Sequence, residues 1–326
     1  MIAEAASLAL YLCLLAFAGY LAASGAERFE SRYGSGVAGG LLLGFLGTLP
    51  EYVFVLKAVT LGQGEIALGS AVGGNIVLFT LGIALLLAAS IRRNRSQFKW
   101  QGFLTDSTIL VVTTLVFLLD SFRRLYSVYT GLFLIAAYMF YVQQTVSKRA
   151  QSAPSASSNI TGSPPVNRNP VSSVRIGVVL SLISIALTLT LVNPLINSVR
   201  SFSATIGVPE FLVASVLVPF ADEFPEMVST TLLAFRQGGN LATPAAGIVG
   251  SKVQNNTLLL GSMILASYIG RTPLGASSMQ AQLGVVFMAA ATIMGLAALL
   301  LRGPKIPKMI LLLALYSLSV SLLYLF

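Results

Sequence analysis

Histidine is absent from the 326 residues, and cysteine occurs once, as Cys13. The first absence excludes His-based zinc sites, Ser-His-Asp triads and histidine proton relays. The second excludes an intrachain disulfide and a thiolate metal cluster. Charge is scarce too. Only 10% of residues are Asp, Glu, Lys or Arg, against about 25% in soluble chains. What is abundant is apolar surface: 56% of residues are hydrophobic and mean hydropathy is +0.84. Length alone suggests two soluble domains. Composition overrides that and indicates a polytopic, all-α membrane protein whose few polar groups carry its chemistry, with no enzymatic apparatus.

A bilayer core about 30 Å thick takes about 20 apolar residues per helix. Ten such stretches are present, at roughly 2–23, 36–61, 66–91, 103–119, 127–146, 176–198, 207–235, 241–266, 280–301 and 308–325. The second, third, seventh and eighth are interrupted by Gly or Pro. The first has small residues after it, but Glu4 and the lack of Lys or Arg before its apolar run argue against a cleaved signal peptide.

Basic residues set orientation. With the loop bearing Arg92, Arg93, Arg95 and Lys99 in the cytoplasm, alternation puts Arg28, Arg32, Lys148, Arg149, Arg168, Arg175, Arg236, Arg302, Lys305 and Lys308 on the same side. Arg123, Arg124, Arg200 and Arg271 fall opposite, and Lys57 and Lys252 within spans. Both termini are then extracytoplasmic, in a cell-membrane protein. The net charge of +9 is a topology signal, which argues against a nucleic-acid partner. Residues 150–174 include a Ser/Pro/Asn-rich run that reads as a flexible cytoplasmic linker. It separates a first five-span unit, 1–149, from a second, 175–326.

The two units repeat each other. Gly47-Thr48-Leu49-Pro50-Glu51 in the second span matches Asp222-Glu223-Phe224-Pro225-Glu226 in the seventh. Each Pro-Glu is followed by a helix that ends near glycines, Gly62 and Gly64 or Gly238 and Gly239. A Gly-rich span follows in both, with Gly73 answering Gly250 two residues out of register. Five spans per unit invert the second relative to the first. The expected fold is therefore ten transmembrane helices in two inverted five-helix repeats, an architecture of secondary transporters with a midplane site at broken helices.

Proline removes a backbone donor and frees the carbonyl four residues earlier, and inside a membrane that carbonyl needs a partner. Cations supply one, since carbonyl oxygens are hard-cation ligands. Carboxylates at bilayer depth cost about 2.5–3.5 kcal/mol each, yet Asp222, Glu223 and Glu226 lie within five residues and Glu51 takes the matching place in the first unit. A divalent cation or protonation must offset them. Lys252 is a possible ion-pair partner for Asp222 or Glu223. Asp106 and Asp120 flank the fourth span, while Glu65 and Glu210 begin spans, where a helix N-terminus favours an anion. Asn255 and Asn256 are amides deep in an apolar span. Each is a candidate ligand or an interhelical hydrogen-bonding group.

At these residues the chain resembles the cation/calcium exchanger superfamily, which includes sodium/calcium and proton/calcium exchangers. The likeness rests on the Pro-Glu segments and the Gly-rich runs after them, over about 45–90 and 215–265. It implies that Glu51 and Glu226 bind Ca2+, that Ser251 and Asn255 match polar site positions, and that Thr48 matches one of a hydroxyl pair. Glu223 and Asp222 stand where the second hydroxyl pair would be. Gly74 and Leu78 stand where the first repeat would carry a serine and an amide or acid. These departures weaken sodium coupling and leave proton coupling open. Without histidine, protons would ride on Glu51, Glu226, Glu223 or Asp222.

The resemblance implies an antiporter exchanging Ca2+ for Na+ or H+, with Glu51, Glu226, Glu223, Asp222, Asn255, Ser251 and Thr48 around the ion and carbonyls near Gly47 and Ala221. No tightly bound cofactor and no obligate protein partner are expected; the partners are the ions and the lipid bilayer. The alternatives are transport of another divalent or organic cation, or a cation-binding relative that does not transport.

Overall fold

The computed structural model describes residues 2–33, 48–91, 103–124, 126–151, 170–236, 242–275 and 278–326. Most of the expected linker, the basic loop at 92–102, the first part of the second expected span with Gly47, and Gly238-Gly239 lie outside these residues. Among the described residues the regular structure is all helical. The helices are α1 (Ile2–Tyr33), α2 (Leu49–Thr60), α3 (Gly64–Ile91), α4 (Phe103–Phe122), α5 (Val128–Gln151) and α6 (Pro170–Ile206). They continue with α7 (Glu210–Asp222), α8 (Phe224–Arg236), α9 (242–270), α10 (Met279–Leu300) and α11 (Lys305–Leu325).

Six of these are long and apolar enough to cross a bilayer by length and composition: α1, α3, α4, α6, α10 and α11. The expected seventh span falls short because it is interrupted at Pro-Glu, and of the expected second span only the part from Thr48 on is described. The seventh becomes two helices, α7 and α8, meeting at Glu223. Pro50 and Pro225 both lie at the first turn of a helix, where a missing N–H costs nothing because no acceptor faces it. Glu51 and Glu226 share those first turns, at the positive end of the helix dipole.

Two helices carry a wide, π-type turn, Leu78–Gly82 in α3 and Asn255–Leu259 in α9. Such turns concentrate at functional sites because they break the regular i→i−4 ladder. Thr80 and Thr257 sit at the third position of each, and each hydroxyl donates to the carbonyl four residues back, Ile76 and Val253.

Packing pairs recur between the two units. Helix α1 runs along α6, with the Ser184 hydroxyl donating to the carbonyl of Ala18 at 2.7 Å. Helix α3 packs on α8 as α9 packs on α2, and α3 meets α11 as α9 meets α5; α3 also packs on α7. The α3–α7 approach is backbone to backbone. A Cβ on Gly73 would stand 2.0 Å from the carbonyl oxygen of Ser215. Pro219, four residues on, has no N–H to offer that carbonyl, so a side chain at position 73 would collide with an unbonded backbone oxygen.

The centre is α3 and α9. Helix α3 is almost wholly enclosed, while α1, α6 and α11 keep most of their length on the outside. Their outer faces carry Leu10, Phe17, Leu182, Ile183, Ile310, Leu311 and Leu318. A soluble protein rarely exposes so continuous an apolar surface. In a bilayer it is the solvated face, and the chain is a multi-pass membrane protein.

Candidate ion-binding site

The break between α7 and α8 and the start of α2 have the same local form. The backbone N–H of Tyr52 donates to the carbonyl of Thr48 at 3.1 Å, and that of Met227 to the carbonyl of Glu223 at 3.0 Å. Thr48 (φ −90°, ψ 0°) and Glu223 (φ −86°, ψ −23°) adopt nearly the same backbone geometry. Both Pro-Glu pairs thus launch a helix from a turn whose carbonyls cannot all be satisfied. Pro225 leaves the carbonyl of Ala221 without its i+4 donor, which keeps that oxygen in the candidate set. Gly47 lies outside the described residues.

Glycine at position 74 makes room for two carboxylates from the two units. A Cβ there would stand 3.0 Å from Glu51 Oε1 and 3.1 Å from Glu223 Oε1. Glu51 is 3% exposed and Glu223 2% exposed. Among the described residues no hydrogen-bond donor reaches either oxygen of Glu51 or of Asp222, and all four atoms are buried. Asn255 donates its amide to Glu223 Oε1 at 2.8 Å and leaves its own Oδ1 without a partner. The Ser251 hydroxyl donates to Glu226 Oε1. Thr48 Oγ1 accepts from the Gln254 amide.

The seven expected residues therefore gather at the junction of α2, α7, α8 and α9, with the Gly-rich face of α3 against them. They do so as small groups: Glu51 and Glu223 at Gly74, Glu226 with Ser251, Thr48 with Gln254. Among the described residues no three acidic side chains are arranged to hold one metal ion. The acids are close enough to feel one another, Glu51 with Asp222 and Glu226, and Glu223 with all three. The arrangement leaves buried oxygens of Glu51, Asp222 and Asn255 without hydrogen-bond partners.

Lys252 does not form the ion pair that its sequence position suggested. It is completely buried, and its ammonium donates to the backbone carbonyl of Asn75 at 2.8 Å. The carbonyl wins because the side chain crosses from α9 to α3 at the level where Asn75 faces it. Asn256 is an interhelical hydrogen-bonding group, its amide donating to the hydroxyls of Thr113 at 2.6 Å and Thr114 at 3.1 Å on α4. Asp120 binds the start of α5 through Ser127 N at 2.9 Å and the Thr130 hydroxyl at 2.5 Å. Glu65 and Glu210 lie in first turns, as expected, and Glu210 also pairs with Arg200 at 3.2 Å.

Three centre residues escape a reading of the sequence alone. Gln254 bonds Thr48 and receives the Tyr52 hydroxyl on its carbonyl at 3.3 Å. Asn75 accepts Lys252 and holds an unpartnered Oδ1. Gln254 had a signal, being a third amide beside Asn255 and Asn256. Asn75 had one in following Gly73-Gly74. Tyr52 had none, since tyrosine next to a carboxylate is common at any helix start.

Comparison with known proteins follows this geometry. A family profile described as "Sodium/calcium exchanger protein" matches residues 4–144 and 176–325. The "Sodium/calcium exchanger NCL" of Arabidopsis thaliana is 29% identical over 91 residues, which are 28% of this chain and only 16% of that relative. Among solved structures, the H+/Ca2+ exchanger CAX aligns over 98% of this chain and 87% of its own, with a TM-score of 0.72 and 19% identity. YfkE aligns over 98% and 92%, with a TM-score of 0.76 and 16% identity. The sodium–calcium exchanger NCX_Mj aligns over 98% of both chains, with a TM-score of 0.57 and 19% identity. At these identities the structures speak for the fold. The profile, which covers nearly the whole chain, speaks for descent: this chain belongs to the sodium/calcium exchanger protein family.

Proposed function

We propose that the chain is a secondary antiporter that exchanges Ca2+ for Na+ or H+ by alternating access. It would do so on ten spans in two inverted five-helix halves, with α7 and α8 as one broken span and α2 as the second part of another. The ion site lies at the midplane between α2, α3, α7–α8 and α9. The observation that carries this reading is the meeting of Glu51 and Glu223 at Gly74, from opposite halves, with no basic side chain paired to either among the described residues. The matched π-type turns and the exchanged packing pairs support the repeat.

Ca2+ takes six to eight oxygens at about 2.3–2.6 Å. Glu51 and Glu226 are its charged anchors. Glu223, Asp222, the Oδ1 of Asn255, Ser251, Thr48 and the Ala221 carbonyl complete the set. Closure around Ca2+ draws the separate groups together. When Ca2+ leaves, several acids crowded in a dry centre repel one another, so the driving cation must bind to or protonate the same carboxylates. The two loads compete for one set of oxygens, and that competition is what couples their fluxes.

The test is uptake of radioactive Ca2+ into proteoliposomes under an imposed sodium gradient and, separately, an imposed pH gradient. Uptake driven by one gradient is expected, together with its loss in Glu51→Gln and Glu226→Gln. Uptake of Mn2+ in place of Ca2+ would move the reading to another divalent cation. Ca2+ binding without flux under either gradient would make the chain a non-transporting relative.

A further inference from the structure

Cation exchange does not call for a lysine at its centre, yet Lys252 is 0% exposed. Burying an unpaired ammonium costs several kcal/mol even after relaxation. Among the described residues no carboxylate oxygen comes within 4.0 Å of it. It has instead the neighbours a bound monovalent cation would have. The Asn75 carbonyl is 2.8 Å away and the Phe79 ring centroid is 5.1 Å away.

Its place along α9 is equally telling. Ser251, one residue before it, holds Glu226, and Asn255, one turn after it, holds Glu223. Asn75 follows Gly74, where Glu51 and Glu223 meet. When the π-type turns are aligned, Leu78 on Asn255 and Thr80 on Thr257, Lys252 falls on Asn75. The ammonium thus bonds the backbone of its own counterpart in the other half. Where one half has an amide side chain, the other has a lysine.

We propose that Lys252 is a tethered cation, holding at the centre one positive charge that a mobile monovalent cation would otherwise supply, and so setting how many driving cations accompany each Ca2+. This rests on the exchanger reading above. With all four acids ionised, the ammonium lowers the charge to be neutralised from four to three. It acts in both the Ca2+-loaded and the exchanged state, because its tether does not leave. It also lies close enough to repel Ca2+, so the site holds Ca2+ less tightly than four acids alone would.

The experiment compares wild type, Lys252→Met, which keeps the volume and removes the charge, and Lys252→Arg, which keeps the charge. All are reconstituted, and the coupling ratio is read from the gradient at which net Ca2+ flux is zero. In Lys252→Met the ratio rises by one driving cation per Ca2+, and apparent Ca2+ affinity rises about tenfold or more, the scale of a removed like charge at short range. Lys252→Arg keeps the wild-type ratio even where transport slows. A Lys252→Met protein with unchanged ratio and affinity within about twofold overturns the proposal. So does a changed ratio in Lys252→Arg, whatever becomes of the Met variant. Wild-type vesicles without gradient-driven Ca2+ uptake would instead refute the exchanger reading itself.

Discussion

Glu51 states the problem this centre has to solve. Both its oxygens are buried, and among the described residues nothing donates to them. A carboxylate at bilayer depth costs about 2.5–3.5 kcal/mol on insertion scales, and here another carboxylate shares the same glycine. Gly74 is the hinge of that geometry. In Gly74→Ala the new methyl would meet Glu51 Oε1 at 3.0 Å and Glu223 Oε1 at 3.1 Å. These are movable side-chain ends, so the helix tolerates the change while the carboxylates are forced apart. Apparent Ca2+ affinity is expected to fall about tenfold, or ~1.4 kcal/mol, with unfolding temperature nearly unchanged. Calorimetric Ca2+ titration and thermal unfolding of the purified variant check both halves of that expectation. Glu51, Glu226 and Asn255 stood out as candidates in the sequence because a charge or amide next to Pro or Gly in an apolar run has few structural uses, and Ser251 did so only through the family resemblance. The partners of Lys252 and Gln254 were not. A polar residue inside a span declares that it needs a partner, and helical periodicity does not name it.

At the level of elements, the site depends on helices that begin and end in the wrong place for an ordinary span. Pro225 and Glu223 divide the seventh span into α7 and α8, as the sequence suggested. The π-type turns in α3 and α9 were invisible to it, because Leu78–Gly82 and Asn255–Leu259 continue helical phase on either side and carry no proline. The close approach of α3 and α7 was readable only as a Gly-rich run. Gly73 gives it a specific meaning, since a Cβ there meets the Ser215 carbonyl at 2.0 Å. That contact is backbone, so a rotamer change cannot relieve it. Gly73→Ala should destabilise the protein by about 1–3 kcal/mol or more, the range for overpacking, and reduce transport through misplacement of α7. Unfolding in detergent measures the first effect. Wild-type stability in Gly73→Ala would show that α3 and α7 do not pack in this way.

For the whole molecule, apolar side chains cover the outer faces of α1, α6 and α11 while a few buried acids and amides sit within an apolar core, a pattern that 10% charge and 56% hydrophobic residues foretold. The number of spans was less accessible, since six helices meet a simple length and apolarity standard. Among the described residues the seventh expected span misses that standard because it is divided at Glu223. The proposed orientation has its own check. Cys13, exposed on α1, is the single thiol, so Cys13→Ser gives a background free of cysteine. New cysteines at Arg124 and Arg271 are expected to react in whole cells with a membrane-impermeant thiol reagent, and one at Arg302 only after lysis. The reverse pattern would turn the protein over. The central claim is that one set of buried carboxylates carries Ca2+ and its counter-ion in turn. It is tested most directly by Ca2+ uptake into proteoliposomes under a sodium or a pH gradient, measured for wild type, Glu51→Gln and Glu226→Gln. The account predicts gradient-driven uptake in wild type and a fall of at least about a hundredfold, ~2.7 kcal/mol, in each folded variant. Undiminished uptake in either variant, or none in wild type under both gradients, would contradict it.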